Sequence, residues 1–110
     1  MKKFTIHDLE KRVAARAKAR PEVSYTRALL DQGVAACAKK LGEEAFETAL
    51  AAVGENRKRV TAEAADLLYH LLVVLKARGV TLKDVEAVLA KRSAQSGHAE
   101  KASRTKRRKK

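Results

Sequence analysis

Cysteine, proline and aromatic residues are scarce in this chain. Among 110 residues there is one cysteine, one proline and no tryptophan, and aromatics make up 4%. A single thiol, Cys37, excludes an internal disulfide, and its place in the small apolar run GVAACAKK predicts a packed, reduced side chain. With so few aromatics, and apolar content dominated by Ala, Leu and Val, helix–helix packing is favoured over a sheet sandwich. Long apolar runs are missing too: LLVVL, residues 71–75, falls far short of the roughly 20 residues that span a bilayer. The start MKKFTIHDLEKR meets His7, Asp8 and Glu10 too early for the apolar core of a signal peptide, so a cytoplasmic protein is expected. There is no glycine-rich Walker loop, which removes a P-loop ATPase, and no serine or cysteine nucleophile beside a histidine, which argues against a covalent intermediate.

Acid is in short supply overall, giving a formal net charge of +12, and a basic chain invites a nucleic-acid reading. The distribution weakens that reading. The last ten residues, KASRTKRRKK, hold seven Lys or Arg and no acid, so more than half of the excess sits at one end. Residues 1–94 are expected to form one all-α domain and residues 95–110 a basic tail without apolar periodicity.

Within the domain, Thr5 with Asp8 forms a capping-box pattern for a first helix whose apolar positions are Ile6, Leu9, Val13 and Ala17; it should end near Arg20, closed by Pro21. Ser24 or Thr26 can cap a short second helix that stops at Gly33. Two long helices follow, over 34–53 and about 57–78, separated by the breaker GEN and therefore paired as a hairpin. Thr81 with Asp84 caps a last helix with Leu82, Val85, Val88 and Leu89 on one face. The expected architecture is a bundle of four to five helices around the long hairpin.

What the chain does have is acid in unexpected places. Glu44 and Glu47 share a face of the first long helix, with Glu43 adjacent and Lys39 and Lys40 one turn before them. On the second long helix Glu63, Asp66 and His70 form one stripe among Leu67, Leu68, Leu71, Leu72, Val73, Val74 and Leu75. A helix apolar on nearly all sides is interior, and buried carboxylates are costly without a compensating cation, which the opposite helix does not offer. A divalent metal is the direct solution, and Mg²⁺ suits all-oxygen ligands shared with substrate phosphates. The bland alternative, solvated surface charges paired with Lys39 and Lys40, fits the first acidic pair better than the second. A di-iron bundle needs histidine three residues after the carboxylate, whereas Asp66 has Tyr69 there and His70 one place later.

The spacing Glu44-x-x-Glu47, fifteen residues, Glu63-x-x-Asp66 resembles the ExxE…ExxD signature of the all-α nucleoside-triphosphate pyrophosphohydrolases. The wider context, SYTRALLDQG, KKLGEEAFE and EAADLLYHLLVVL, is similar to the phosphoribosyl-ATP pyrophosphatase family over about residues 5–92. The resemblance implies hydrolysis of phosphoribosyl-ATP to phosphoribosyl-AMP and pyrophosphate, the second step of histidine biosynthesis, by metal-activated water. It makes Glu44, Glu47, Glu63 and Asp66 the ligands of Mg²⁺ and Glu43 a supporting group or general base. Lys39 and Lys40 would face substrate phosphates, and Ser24, Tyr25, Thr26 and His70 would contact substrate; helix capping and core packing are the competing roles for Ser24, Thr26 and His70.

Two other functions compete. A sister enzyme acting on a free (deoxy)nucleoside triphosphate would use the same fold and site. A small basic nucleic-acid-binding protein, using the tail, explains the charge but leaves four interior acids unexplained. The long helices also carry more apolar surface than the short ones can cover, which, with the dimers the resemblance implies, predicts a homo-oligomer, at least a dimer, with a four-helix core and a site near the subunit boundary.

Overall fold

In the computed structural model, which describes residues 2–94, the chain is all-α. Its helices are α1 (Ile6–Arg16), α2 (Tyr25–Asp31), α3 (Val34–Gly54), α4 (Arg57–Ala77) and α5 (Leu82–Ser93). Residues up to Val80 form one compact unit containing α1 to α4, and α5 belongs to a second. The expected basic tail, residues 95–110, lies outside the described residues. No helix among them is long and apolar enough to cross a membrane.

Local chemistry sets most boundaries. Both capping boxes form: Thr5 N–H donates to Asp8 Oδ2 at 2.9 Å and Asp8 N–H to Thr5 Oγ1 at 3.3 Å, while in α5 the Thr81 and Asp84 counterparts are 3.0 and 3.1 Å. The backbone donors hold both aspartates below the usual carboxylate range. Asn56 starts α4, its Oδ1 accepting from Arg59 N–H at 2.9 Å. Gly79, at φ +69°, closes α4: its own N–H reaches Lys76 O and that of Val80 reaches Leu75 O at 2.9 Å.

The first helix departs from expectation. It ends at Arg16, before Pro21 is reached, and the returning chain bonds carbonyls at its end and just beyond it. Ser24 Oγ donates to Arg16 O at 2.8 Å and Arg27 Nη1 to Ala19 O at 3.3 Å. Together with the Ala19 N–H, which reaches Arg16 O at 3.2 Å, these bonds satisfy carbonyls where the helix ladder stops.

The expected hairpin is present, and α3 against α4 is the most extensive packing in the chain, with α1 and α2 laid against it. Val13, Leu29, Cys37, Ala51, Leu72 and Val73 make the core. Cys37 is fully buried, its Sγ 3.5 Å from Leu29 O, and burial pushes its thiol pKa up, as befits a packed, unreactive cysteine. Cys37, Glu44 and Ala51, seven residues apart, are all buried on α3. Seven residues is nearly two helical turns, so a glutamate occupies the seam position that packing would give to an aliphatic residue.

Candidate active site

The two long helices bring their acids together at mid-hairpin. Carboxylate oxygens of Glu44, Glu63 and Asp66 all lie within 4.8 Å of one another. Glu44 and Glu63 are 8% and 4% exposed, whereas Glu47 and Asp66 are exposed, so the cluster has a buried floor and an open rim. Glu47 stands outside the trio, at the exposed rim. Burial, followed by Glu47, raises the Glu63 pKa; Arg59 opposes the rise and the Asp66 charge adds to it.

The compensating cation that the sequence pattern did not reveal is on α4 itself. Arg59 Nη2 is 2.8 Å from Glu63 Oε1, one turn away. Its signal was the i to i+4 spacing, which is common on helix surfaces and so did not stand out. One guanidinium leaves the compensation incomplete, because Glu44 Oε2 and Glu63 Oε2 are buried without a hydrogen-bond partner. Such atoms are expensive to leave bare, and the two residues that carry them gather with Asp66 into a cluster that fits a hard cation.

Other expected residues fall into two groups. Ser24 is 1% exposed and spends its hydroxyl inside the fold, donating to Arg16 O and accepting from Arg27 N–H. Thr26, also buried, hydrogen-bonds the Tyr69 hydroxyl, giving Tyr69 a polar role beyond packing. Lys40 Nζ is 3.7 Å from Glu43 Oε1, an exposed i to i+3 pair, and Lys39 is exposed beside it. Glu43 is outside the buried cluster.

His70 connects α2 to the acidic stripe. Its Nδ1 is 2.9 Å from the Asp66 carbonyl, which can only accept, so Nδ1 carries hydrogen. In the neutral ring Nε2 is then an acceptor, and the Tyr25 hydroxyl donates to it at 3.3 Å. Tyr25 is 54% exposed and stacks on Tyr69 with ring centroids 6.3 Å apart, so a half-open aromatic face sits at the end of a relay that reaches the Asp66 backbone.

An all-α hairpin with a buried carboxylate floor, an open acidic rim and only oxygen ligands has the makings of a metal-dependent hydrolase of phosphoanhydrides. Comparison with known proteins narrows this. The profile of phosphoribosyl-ATP pyrophosphohydrolase matches residues 6–93. The chain is 62% identical over 102 residues to a phosphoribosyl-ATP pyrophosphatase of Azorhizobium caulinodans, covering 93% of this chain and 94% of the relative. It is 61% identical over 104 residues to phosphoribosyl-ATP pyrophosphatase 1 of Bradyrhizobium diazoefficiens, covering 94% and 98%. The chain belongs to the phosphoribosyl-ATP pyrophosphohydrolase family.

Proposed function

We propose that the hairpin site hydrolyses phosphoribosyl-ATP to phosphoribosyl-AMP and pyrophosphate, the second step of histidine biosynthesis, with Mg²⁺ held by Glu44, Glu47, Glu63 and Asp66. Family membership supports the reaction. The observation that carries the site is the gathering of Glu44, Glu63 and Asp66 carboxylates, the first two of them buried with an oxygen left unpartnered. Bound Mg²⁺ supplies Lewis-acid polarisation of phosphoryl oxygens and offsets charge on the departing pyrophosphate. Glu44 and Glu63 anchor from the floor. Glu47 and Asp66, at the open rim, leave room for phosphate to reach the site. Lys39 and Lys40 add positive charge on the approach, and Glu43 is the group that would take a proton from attacking water. Tyr25 presents its ring to the nucleotide, while Ser24, Thr26 and His70 hold that segment in place.

The working form is a homodimer. On α3, Phe46, Leu50 and Val53 are 65%, 55% and 90% exposed on one face, and on α4 Leu68 and Leu71 are 45% and 36% exposed. A second hairpin of the same kind would cover them and complete a four-helix core. Pyrophosphate release from phosphoribosyl-ATP, assayed beside ordinary nucleoside triphosphates, tests the reading. Turnover should require Mg²⁺, stop in chelator and return with added metal; equal turnover in chelator, or preference for a free nucleotide, would refute it.

A further inference from the structure

We propose that Thr48 is a positioning residue for the metal site, fastening the backbone beneath Glu44 to the backbone beneath Glu63. The inference rests on the metal reading above. Thr48 Oγ1 is 2.7 Å from the Glu44 carbonyl oxygen, one turn back on α3, and 3.1 Å from the Glu63 carbonyl oxygen on α4. A helical threonine satisfies its hydroxyl on the carbonyl four residues earlier, so the second contact is not required by the helix. A hydroxyl has one proton, and here it is shared between two carbonyls that can each only accept.

The two carbonyls belong to the two residues whose buried Oε2 atoms lack partners. Apolar packing alone fixes the axial register of two helices loosely, and like charges on Glu44 and Glu63 push the hairpin apart at this level. A shared proton between the helices opposes both. It sets the distance between the two floor carboxylates before any cation arrives, which is how outlying hydrogen bonds tune metal affinity without touching the ion.

Two substitutions separate the hydroxyl from the methyl group. Thr48→Val keeps the shape and removes the hydroxyl; Thr48→Ser keeps the hydroxyl and removes the methyl. Mn²⁺, which suits the same carboxylate ligands, is titrated into the full-length protein without substrate, and the loss of the free-ion electron paramagnetic resonance signal gives its affinity. The valine variant should bind roughly 10–100-fold more weakly, while the serine variant stays within about threefold of the parent. If the valine chain does not fold by circular dichroism, Thr48→Ala takes its place with the same expectation. Unchanged affinity in the hydroxyl-free variant overturns the inference, as does equal weakening in the serine variant, which would assign the effect to the methyl group. A parent protein that binds no Mn²⁺ overturns the metal reading itself.

Discussion

Replacing Glu63 with glutamine should move stability in opposite directions with and without metal. The substitution keeps the shape and an oxygen for Arg59, now 2.8 Å from Oε1, and removes the charge. In chelator the parent holds a carboxylate that is 4% exposed, with one oxygen unpartnered and Glu47 and Asp66 beside it. Its pKa is raised in the fold, so its contribution is most favourable below the ordinary glutamate value and is lost as pH rises through the raised one. At neutral pH the charge therefore opposes folding, and Glu63→Gln should melt no lower than the parent, and higher if Arg59 stays in place. Adding Mg²⁺ at a hundred times its dissociation constant stabilises the parent by about 2.7 kcal/mol. For a chain of this size that raises Tm by roughly 10–20 °C. If losing an anionic ligand weakens binding about a hundredfold, the same Mg²⁺ concentration gives the variant only about 0.4 kcal/mol, a shift of a few degrees. Melting curves by circular dichroism in chelator and in Mg²⁺ read both effects. A variant that keeps the full metal-induced shift, or melts lower than the parent in chelator, would refute the reasoning.

Glu47→Gln and Asp66→Asn, both at the exposed rim, should each lower turnover at least tenfold with helix content unchanged; near-parental rates in pyrophosphate release would return them to ordinary surface charges. Leu72→Ala removes a side chain that is 3% exposed on α4 and should cost about 2–5 kcal/mol in urea denaturation. Asp8 and Asp84 have pKa values depressed by their capping bonds, so their contribution holds above the unfolded value near about 3.9 and disappears as pH falls through the lower folded values. Amide exchange in the first turns of α1 and α5 should therefore accelerate below about pH 4 beyond the intrinsic rate, and Thr5→Ala should abolish the effect in α1. Sedimentation equilibrium at low micromolar concentration should find a dimer, and mixing Glu47→Gln with Lys40→Ala chains should recover activity if a site draws on both subunits; a stable, active monomer would contradict the covered-face argument.

Helix identities and most boundaries were legible in the amino-acid order because the interactions that set them span at most a few residues. Thr5 reaches Asp8 and Thr81 reaches Asp84 within one turn, and Asn56 and Gly79 act on their own backbone neighbourhoods. The acidic spacing was equally readable, since three- and four-residue intervals share a helix face whatever surrounds it. Tertiary structure decided the rest. The chain leaving α1 is held by Ser24 on Arg16 O and Arg27 on Ala19 O, contacts that local propensity does not contain. Which acids form the floor depends on where α4 crosses α3: Glu44 shares a buried row with Cys37 and Ala51, while Glu47, one turn on, is left at the rim. Arg59, Tyr69 and Thr48 look like an ordinary surface charge, a packing ring and a helical threonine until the folded chain supplies the carboxylate, the Thr26 hydroxyl and the second carbonyl that give each its role. Sequence spacing determines which side chains leave a helix together, but only the packing of a second helix decides which of them lose water, and that loss is what makes a row of acids a candidate for holding a cation.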